Sequence, residues 1–226
     1  MVAPQLIFAH LLADYVLQTD WLATRKERFD PQEIHSWGGL LLHGTIVWLA
    51  SLAVLAPHIG LLWPYVTVLT LIHTVQDALK IQINSRWHIP TLIPYLADQA
   101  LHIVAILIFQ AVVTRRFTLE NNPTVLTLMM LGSSVVAVTR FYEVSWWANW
   151  REIYAYVVRW RYWGYAERTA MLLLSAIGWW WLSPLAVAPR LYTAQRRGKP
   201  IWAQPAGIPE LLLGVVFSVI LGLAFR

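Results

Sequence analysis

The chain contains no cysteine, so disulfides and thiolate metal ligands are both excluded, and any metal it binds must sit on nitrogen and oxygen donors. Charge is scarce as well. Only 13% of the 226 residues are charged while 58% are hydrophobic, which leaves too little polar surface to solvate a soluble globule of this size. The apolar runs lack the period-2 alternation of a membrane β-barrel. A basic region ahead of the first apolar segment is missing too. That segment starts almost at Met1 and carries His10 and Asp14, so it is expected to stay as a helix rather than leave as a signal peptide. No internal repeat is evident, which leaves inverted-repeat transporter architecture unsupported.

What is present is a series of Leu-, Ile- and Val-rich stretches, each of about 20 residues and so long enough to cross a ~30 Å hydrocarbon core at ~1.5 Å per residue. Backbone groups inside lipid must be satisfied within the segment, so these stretches predict helices. The fold class is all-α: a polytopic transmembrane bundle forming one membrane domain over 1–226. Its expected spans are about 3–19, 37–56, 61–80, 91–113, 124–139, 164–187 and 208–225. The polar stretch 20–36 reads as a loop with room for one short helix, and 188–207 reads as a loop. From Arg140 to Trp163 the sequence mixes five Trp with four Arg, which suits a helix lying in the headgroup layer and offers a surface, 141–163, for a membrane-protein partner. Gly132, Gly178 and Gly214 read as helix contacts.

Seven spans place the termini on opposite faces. Lys and Arg then divide 11 on the C-terminal side, Lys26 among them, against 6 on the N-terminal side, which predicts an N-out, C-in topology in the cell membrane. The net charge of +5 is spent at helix ends, where lipid phosphates lie, so membrane lipids are the expected partners and nucleic acid is not.

The chemistry-bearing feature is a set of ionisable residues inside the spans. His10 and Asp14, His73 and Asp77, and Asp98 and His102 are each spaced i, i+4, which puts both side chains on one helix face about 6 Å apart; His43 stands alone. Charge at membrane depth costs several kcal/mol unless paired, hydrated or metal-bound. Counted from the cytoplasmic ends of their spans, all seven fall in a layer about 5–17 Å deep, although their helices run in opposite directions. One such pair reads as an interhelical hydrogen bond; three pairs and a lone His at one depth read as a metal or catalytic site. Gln18, Lys80, Glu167 and Arg168 lie nearer the same mouth. His35, His58 and His88 fall in loops.

The order HLLADYVLQTDW, then LLHG, HTVQDALK, LADQALH and GYAER, resembles an uncharacterised family of prokaryotic integral membrane proteins known as a domain of unknown function. The resemblance runs from Ala9 to about Arg190. It implies a polar signature of His10, Asp14, Gln18, His43, His73, Asp77, Lys80, Asp98, Gln99, His102, Glu167 and Arg168, and brings no established activity. The Trp- and Arg-rich stretch before Gly164 and the seventh span depart from it.

The leading expectation is a membrane metalloenzyme whose metal ligands come from His10, Asp14, His43, His73, Asp77, Asp98 and His102. Mixed His and carboxylate ligation suits Zn, Mn or Fe, and a bound water would be activated for hydrolysis. Asp77, Asp98, Lys80 and Glu167 are the candidates for acid, base and electrostatic roles. Gln18, Lys80, Arg86 and Arg168 are the candidates for holding a lipid phosphate or acyl headgroup reached from the cytoplasmic side. No HExxH, no DxxxD pair and no CDP-alcohol transferase signature occurs. Two other classes compete: a non-catalytic subunit with His as axial ligand to haem or chlorophyll, which would need no acidic neighbours, and an ion or proton-coupled transporter, whose relay would reach both faces.

Overall fold

The computed structural model describes residues 2–87, 92–147 and 161–196, together with the isolated positions 212, 214–216, 219–220 and 223. Among these the regular structure is entirely helical. The chain divides into two compact units, Met1–Ser133 and Ser134–Arg226.

The first unit is built on α1 (Ala3–Leu11), α2 (Asp20–Glu27), α3 (Trp37–Val54), α4 (Ile59–Trp87), α5 (Leu92–Arg116) and the first part of α6 (Pro123–Trp147). Helix α1 packs on α3 and α5, and α4 packs on both as well. Three stretches, Ile34–Val54, Ala56–Arg86 and Ile93–Arg116, are long and apolar enough to cross a membrane; Ala3–Leu17 and Pro123–Ala137 are shorter apolar helices. Burial follows a membrane solvent rather than water. Leu41, Leu49, Leu71, Val75, Leu101 and Val104 are exposed, while His43, His73, Asp77, Asp98 and His102 are buried. A polar interior under an apolar coat is stable only where the surroundings are themselves apolar.

The interior of this unit is split along its length. Val2, Leu6, Leu55, Leu62, Val66, Phe109 and Val113 form an apolar core at the end shared by the start of α1, the end of α3, the start of α4 and the end of α5. Gln110 closes that end by accepting from the Ala3 backbone N–H at 2.8 Å, which satisfies one of the free donors of the first turn of α1. The polar residues fill the other end. There the chain departs from plain helix: Leu12–Leu17, which contains Asp14, is a π-helical turn. The polar stretch then folds back as α2, with the Thr19 hydroxyl accepting from Leu22 N at 3.3 Å as N-cap. Glycine lets this return helix approach. A Cβ on Gly39 would lie 2.5 Å from the Arg25 carbonyl carbon and 2.6 Å from Lys26 N, so α2 rests on α3 through bare backbone. Beside the site, a Cβ on Gly44 would lie 2.7 Å from Thr74 Oγ1, which is how α3 and α4 come close enough for His43 to meet His73.

Several expected boundaries shift. Helix α4 runs on past 80 to Trp87, and α6 continues through Arg140 to Trp147 without the break expected at 139. In the second unit, α7 (Arg161–Ala176) stops inside the expected span 164–187. Gly178 adopts φ 90°, Trp179 N donates to Leu174 O at 2.7 Å and Gly178 N to Ser175 O at 3.1 Å, which is the bonding of a Schellman C-cap. Gly178 is thus a helix stop and not a helix contact, and a 3-10 segment, Trp180–Val187, follows. The expected loop after it begins as α8 (Ala188–Arg196). Gly132 does act as a helix contact, its Cα facing Phe8 of α1. The expected interfacial segment lies outside the described residues over 148–160, as does most of the expected span 208–225.

Candidate metal centre

Helix α1, the π turn, α3, α4 and α5 bring all seven of the expected His and Asp residues into one cluster, each no more than 8% exposed. The i, i+4 spacing does its work on three helices at once, because His10 and Asp14, His73 and Asp77, and Asp98 and His102 all turn inward. His43 enters opposite them from α3. Its Nε2 lies 3.2 Å from Asp14 Oδ1, 3.3 Å from Asp77 Oδ2 and 3.2 Å from His73 Nε2. His73 Nε2 in turn lies 3.4 Å from Asp77 Oδ2 and 3.7 Å from Asp14 Oδ1. His43 Nε2 and His73 Nε2 therefore each lie within 3.7 Å of a carboxylate oxygen of both Asp14 and Asp77.

Behind these atoms lies a second layer. His73 Nδ1 and His102 Nδ1 are 3.2 Å apart, and His102 Nε2 sits between Asp98 Oδ1 at 3.3 Å and Asp77 Oδ1 at 3.9 Å. Asp98 Oδ2 accepts from Lys80 Nζ at 2.7 Å and from Gln99 Nε2 at 3.3 Å. The Gln99 amide oxygen lies 3.3 Å from His10 Nε2. An amide oxygen only accepts, so His10 carries its hydrogen on Nε2 and turns the Nδ1 lone pair toward Asp14 Oδ1 at 3.7 Å. Within the cluster Asp14 Oδ1, His43 Nδ1 and His102 Nε2 are buried without a well-directed hydrogen bond.

This donor set can hold a metal ion. Three groups of buried ligand atoms are close enough to share one: His10, Asp14 and His73; His43, His73 and Asp77; and Asp77, Asp98 and His102. They overlap at His73 and Asp77. A cavity of about 20 Å³, room for one water, lies against His10, His73 and His102 on the side of the apolar core.

Lys26 is the site residue that sequence reasoning missed. It was counted as a loop charge, yet it is buried and its Nζ lies 3.1 Å from Asp77 Oδ2. The signal was the Gly38-Gly39 pair opening α3, which permits backbone contact with α2 and so carries Lys26 inward. Lys80 is placed as expected, 32% exposed at the rim. Arg86 is exposed near the end of α4, and Gln18 is half-buried just after the π turn. Glu167 and Arg168 belong to the second unit, where both are buried: Arg190 Nε lies 3.0 Å from Glu167 Oε1, and Arg168 donates to Thr139 Oγ1 at 2.9 Å.

No curated protein and no solved structure matches the chain. A family does, over residues 2–130, a stretch that takes in all seven His and Asp residues, Lys26 and Lys80 and ends before Gly164–Arg168. The chain belongs to the family described as "Protein of unknown function (DUF3307)".

Proposed function

We propose that this protein is an integral membrane metalloenzyme, a hydrolase that acts on a lipid or lipid-linked phosphate or acyl headgroup from the cytoplasmic side of the cell membrane. In this reading the chain crosses the bilayer seven times with its N-terminus out and its C-terminus in. The observation that carries the proposal is the spacing of the buried donor atoms around His43 and His73. Ligands held about 2.0–2.1 Å from a tetrahedral zinc stand about 3.3 Å from one another. The five measured separations among Asp14 Oδ1, His43 Nε2, His73 Nε2 and Asp77 Oδ2 run from 3.2 to 3.7 Å. Nitrogen and carboxylate donors in that geometry suit zinc, with manganese or iron as the other first-row choices.

A divalent ion there would polarise a headgroup oxygen and lower the pKa of a bound water. The chain supplies the rest: Lys26 and Lys80 bring ammonium groups to Asp77 and Asp98, where a developing negative charge would be stabilised. A lipid substrate is supported by the outer surface of α4 and α5. An apolar groove of about 400 Å³, lined by Val68, Ile72, Val104, Ile108 and Val112, reaches inward to Gln76, Leu69 and Ala105, which also line the small cavity beside His73 and His102. The groove runs from the level of the site away from Lys80, the direction an acyl chain takes when its headgroup enters at the Lys80 end. The haem or chlorophyll alternative gains nothing from the site, since the His73 and His102 rings are only 4.2 Å apart and every inward ring is crowded by carboxylates.

The test is metal dependence in detergent solution. Chelation should lower the melting temperature by several degrees, one transition metal should restore it, and Asp77→Asn should abolish the response while Glu33→Gln leaves it intact. A melting temperature indifferent to chelator, with no stoichiometric metal in the purified protein, would exclude the metalloenzyme.

A further inference from the structure

A neutral imidazole has one N–H and one lone pair, so two ring nitrogens in contact hold a single proton unless a cation lies between them, as it would between His43 Nε2 and His73 Nε2. His73 and His102 meet in this way through their Nδ1 atoms, 3.2 Å apart and buried. The proton count then decides what the opposite edges of the two rings can do. If His73 donates, its Nε2 is a bare lone pair facing Asp14, His43 and Asp77, and His102 carries its hydrogen on Nε2. If His102 donates, the roles reverse and His102 Nε2 becomes the lone pair. Both rings cannot be neutral ligands at once, although each belongs to a group that could hold an ion.

Two observations choose between the arrangements. His73 belongs to two of the three groups that could hold an ion, one with His10 and Asp14 and one with His43 and Asp77, whereas His102 belongs to one. His102 Nε2 also sits between the carboxylate oxygens of Asp98 and Asp77, at 3.3 and 3.9 Å, where a hydrogen is attracted and a lone pair is repelled. The far oxygen of Asp98 is fixed by Lys80 Nζ and Gln99 Nε2, which leaves Oδ1 for His102.

We infer that the chain binds one cation, through His43, His73, Asp14 and Asp77, and that Asp98 and His102 are a positioning dyad rather than ligands. His102 Nδ1 accepts a hydrogen bond from His73 Nδ1–H, and the dyad so holds the His73 Nε2 lone pair toward the ion, the outer-shell arrangement that orients metal-bound imidazoles. Asp98 is anchored in its turn by Lys80 at the rim. The inference rests on the metal-centre reading and can fail without it.

Cobalt(II) titration of the purified full-length chain in detergent, followed by visible absorption, tests it. One cobalt per chain is expected. His102→Gln, whose amide offers one acceptor and one donor, should leave the cobalt bands in place. His102→Leu should keep the same bands while weakening affinity by about 10–100-fold, and His73→Gln should abolish them. Two cobalt ions per chain, or bands lost in His102→Gln and kept in His73→Gln, would overturn the positioning role and leave the metal centre standing. Absence of cobalt binding by the wild type would overturn both.

Discussion

Gly39 and Gly38 are neighbours at the start of α3, and the structure predicts opposite outcomes for the same substitution. A Cβ at Gly38 meets nothing within 4 Å, while one at Gly39 would lie 2.5 Å from Arg25 C, 2.7 Å from Arg25 O and 2.6 Å from Lys26 N. All three atoms are backbone, so no side chain can swing aside. Restoring an ordinary contact of 3.4 Å requires α2 to withdraw by about 0.9 Å, and Lys26 rides on the displaced turn. Its 3.1 Å contact with Asp77 then stretches toward the limit of an ion pair. Overpacking of this kind costs about 1–3 kcal/mol. Replacing helical Gly by Ala gains at most about 1 kcal/mol. Gly38→Ala should therefore be neutral or slightly stabilising, and Gly39→Ala should melt below it by about 2–12 °C at ~2–4 °C per kcal/mol. Thermal unfolding in detergent, followed by tryptophan fluorescence, makes the comparison within one experiment. Equal melting temperatures, or a higher one for Gly39→Ala, would refute the backbone contact between α2 and α3.

Lys26→Met removes the ammonium from Asp77 while keeping the stem; metal-free protein should lose about 3–5 kcal/mol of stability, and cobalt should bind more tightly because nothing competes for Asp77 Oδ2. Unchanged cobalt affinity would show that Lys26 does not share that oxygen with the ion. Gln110→Ala should cost about 0.5–2 kcal/mol through the lost cap on Ala3, read as a lower melting temperature with metal affinity unaltered. A cytoplasm-active reporter fused after Arg226 should be active in cells; activity only from a periplasm-active reporter would reverse the proposed orientation.

The long spans and the membership of the cluster were legible because both follow from periodic geometry. Trp37–Val54 begins where the apolar stretch does, and the i, i+4 spacing together with a common depth was enough to gather seven residues from four segments. What escaped were features that one residue decides. The π turn at Leu12–Leu17 leaves no compositional mark, yet it lowers the rotation per residue so that Asp14 sits more nearly in line with His10. Gly178 was visible but ambiguous, since a glycine in an apolar helix serves close contact as readily as termination; only its positive φ separates the two. Lys26 escaped because a basic residue in a polar stretch is ordinarily solvated, and its burial depends on the Gly39 contact made thirteen positions later.

The buried charges also bear on how many ions the cluster can carry. With neutral imidazoles, three carboxylates, Asp14, Asp77 and Asp98, face two ammoniums, Lys26 and Lys80, which leaves one net negative charge. One dication would convert this to a single positive charge, which under the proposed function a bound hydroxide or one oxygen of an anionic headgroup would cancel. A second dication would raise it to three in a bundle whose outer surface is Leu, Ile and Val, where uncompensated charge is costly. The proton count at His73 and His102 and the charge count across the cluster rest on different atoms, and both favour one ion. They also give Lys26 a definite part. Supplied by a helix that folds back, it offsets one carboxylate in the metal-free state and, under the proposed function, would leave the loaded site with a single positive charge for a reacting group.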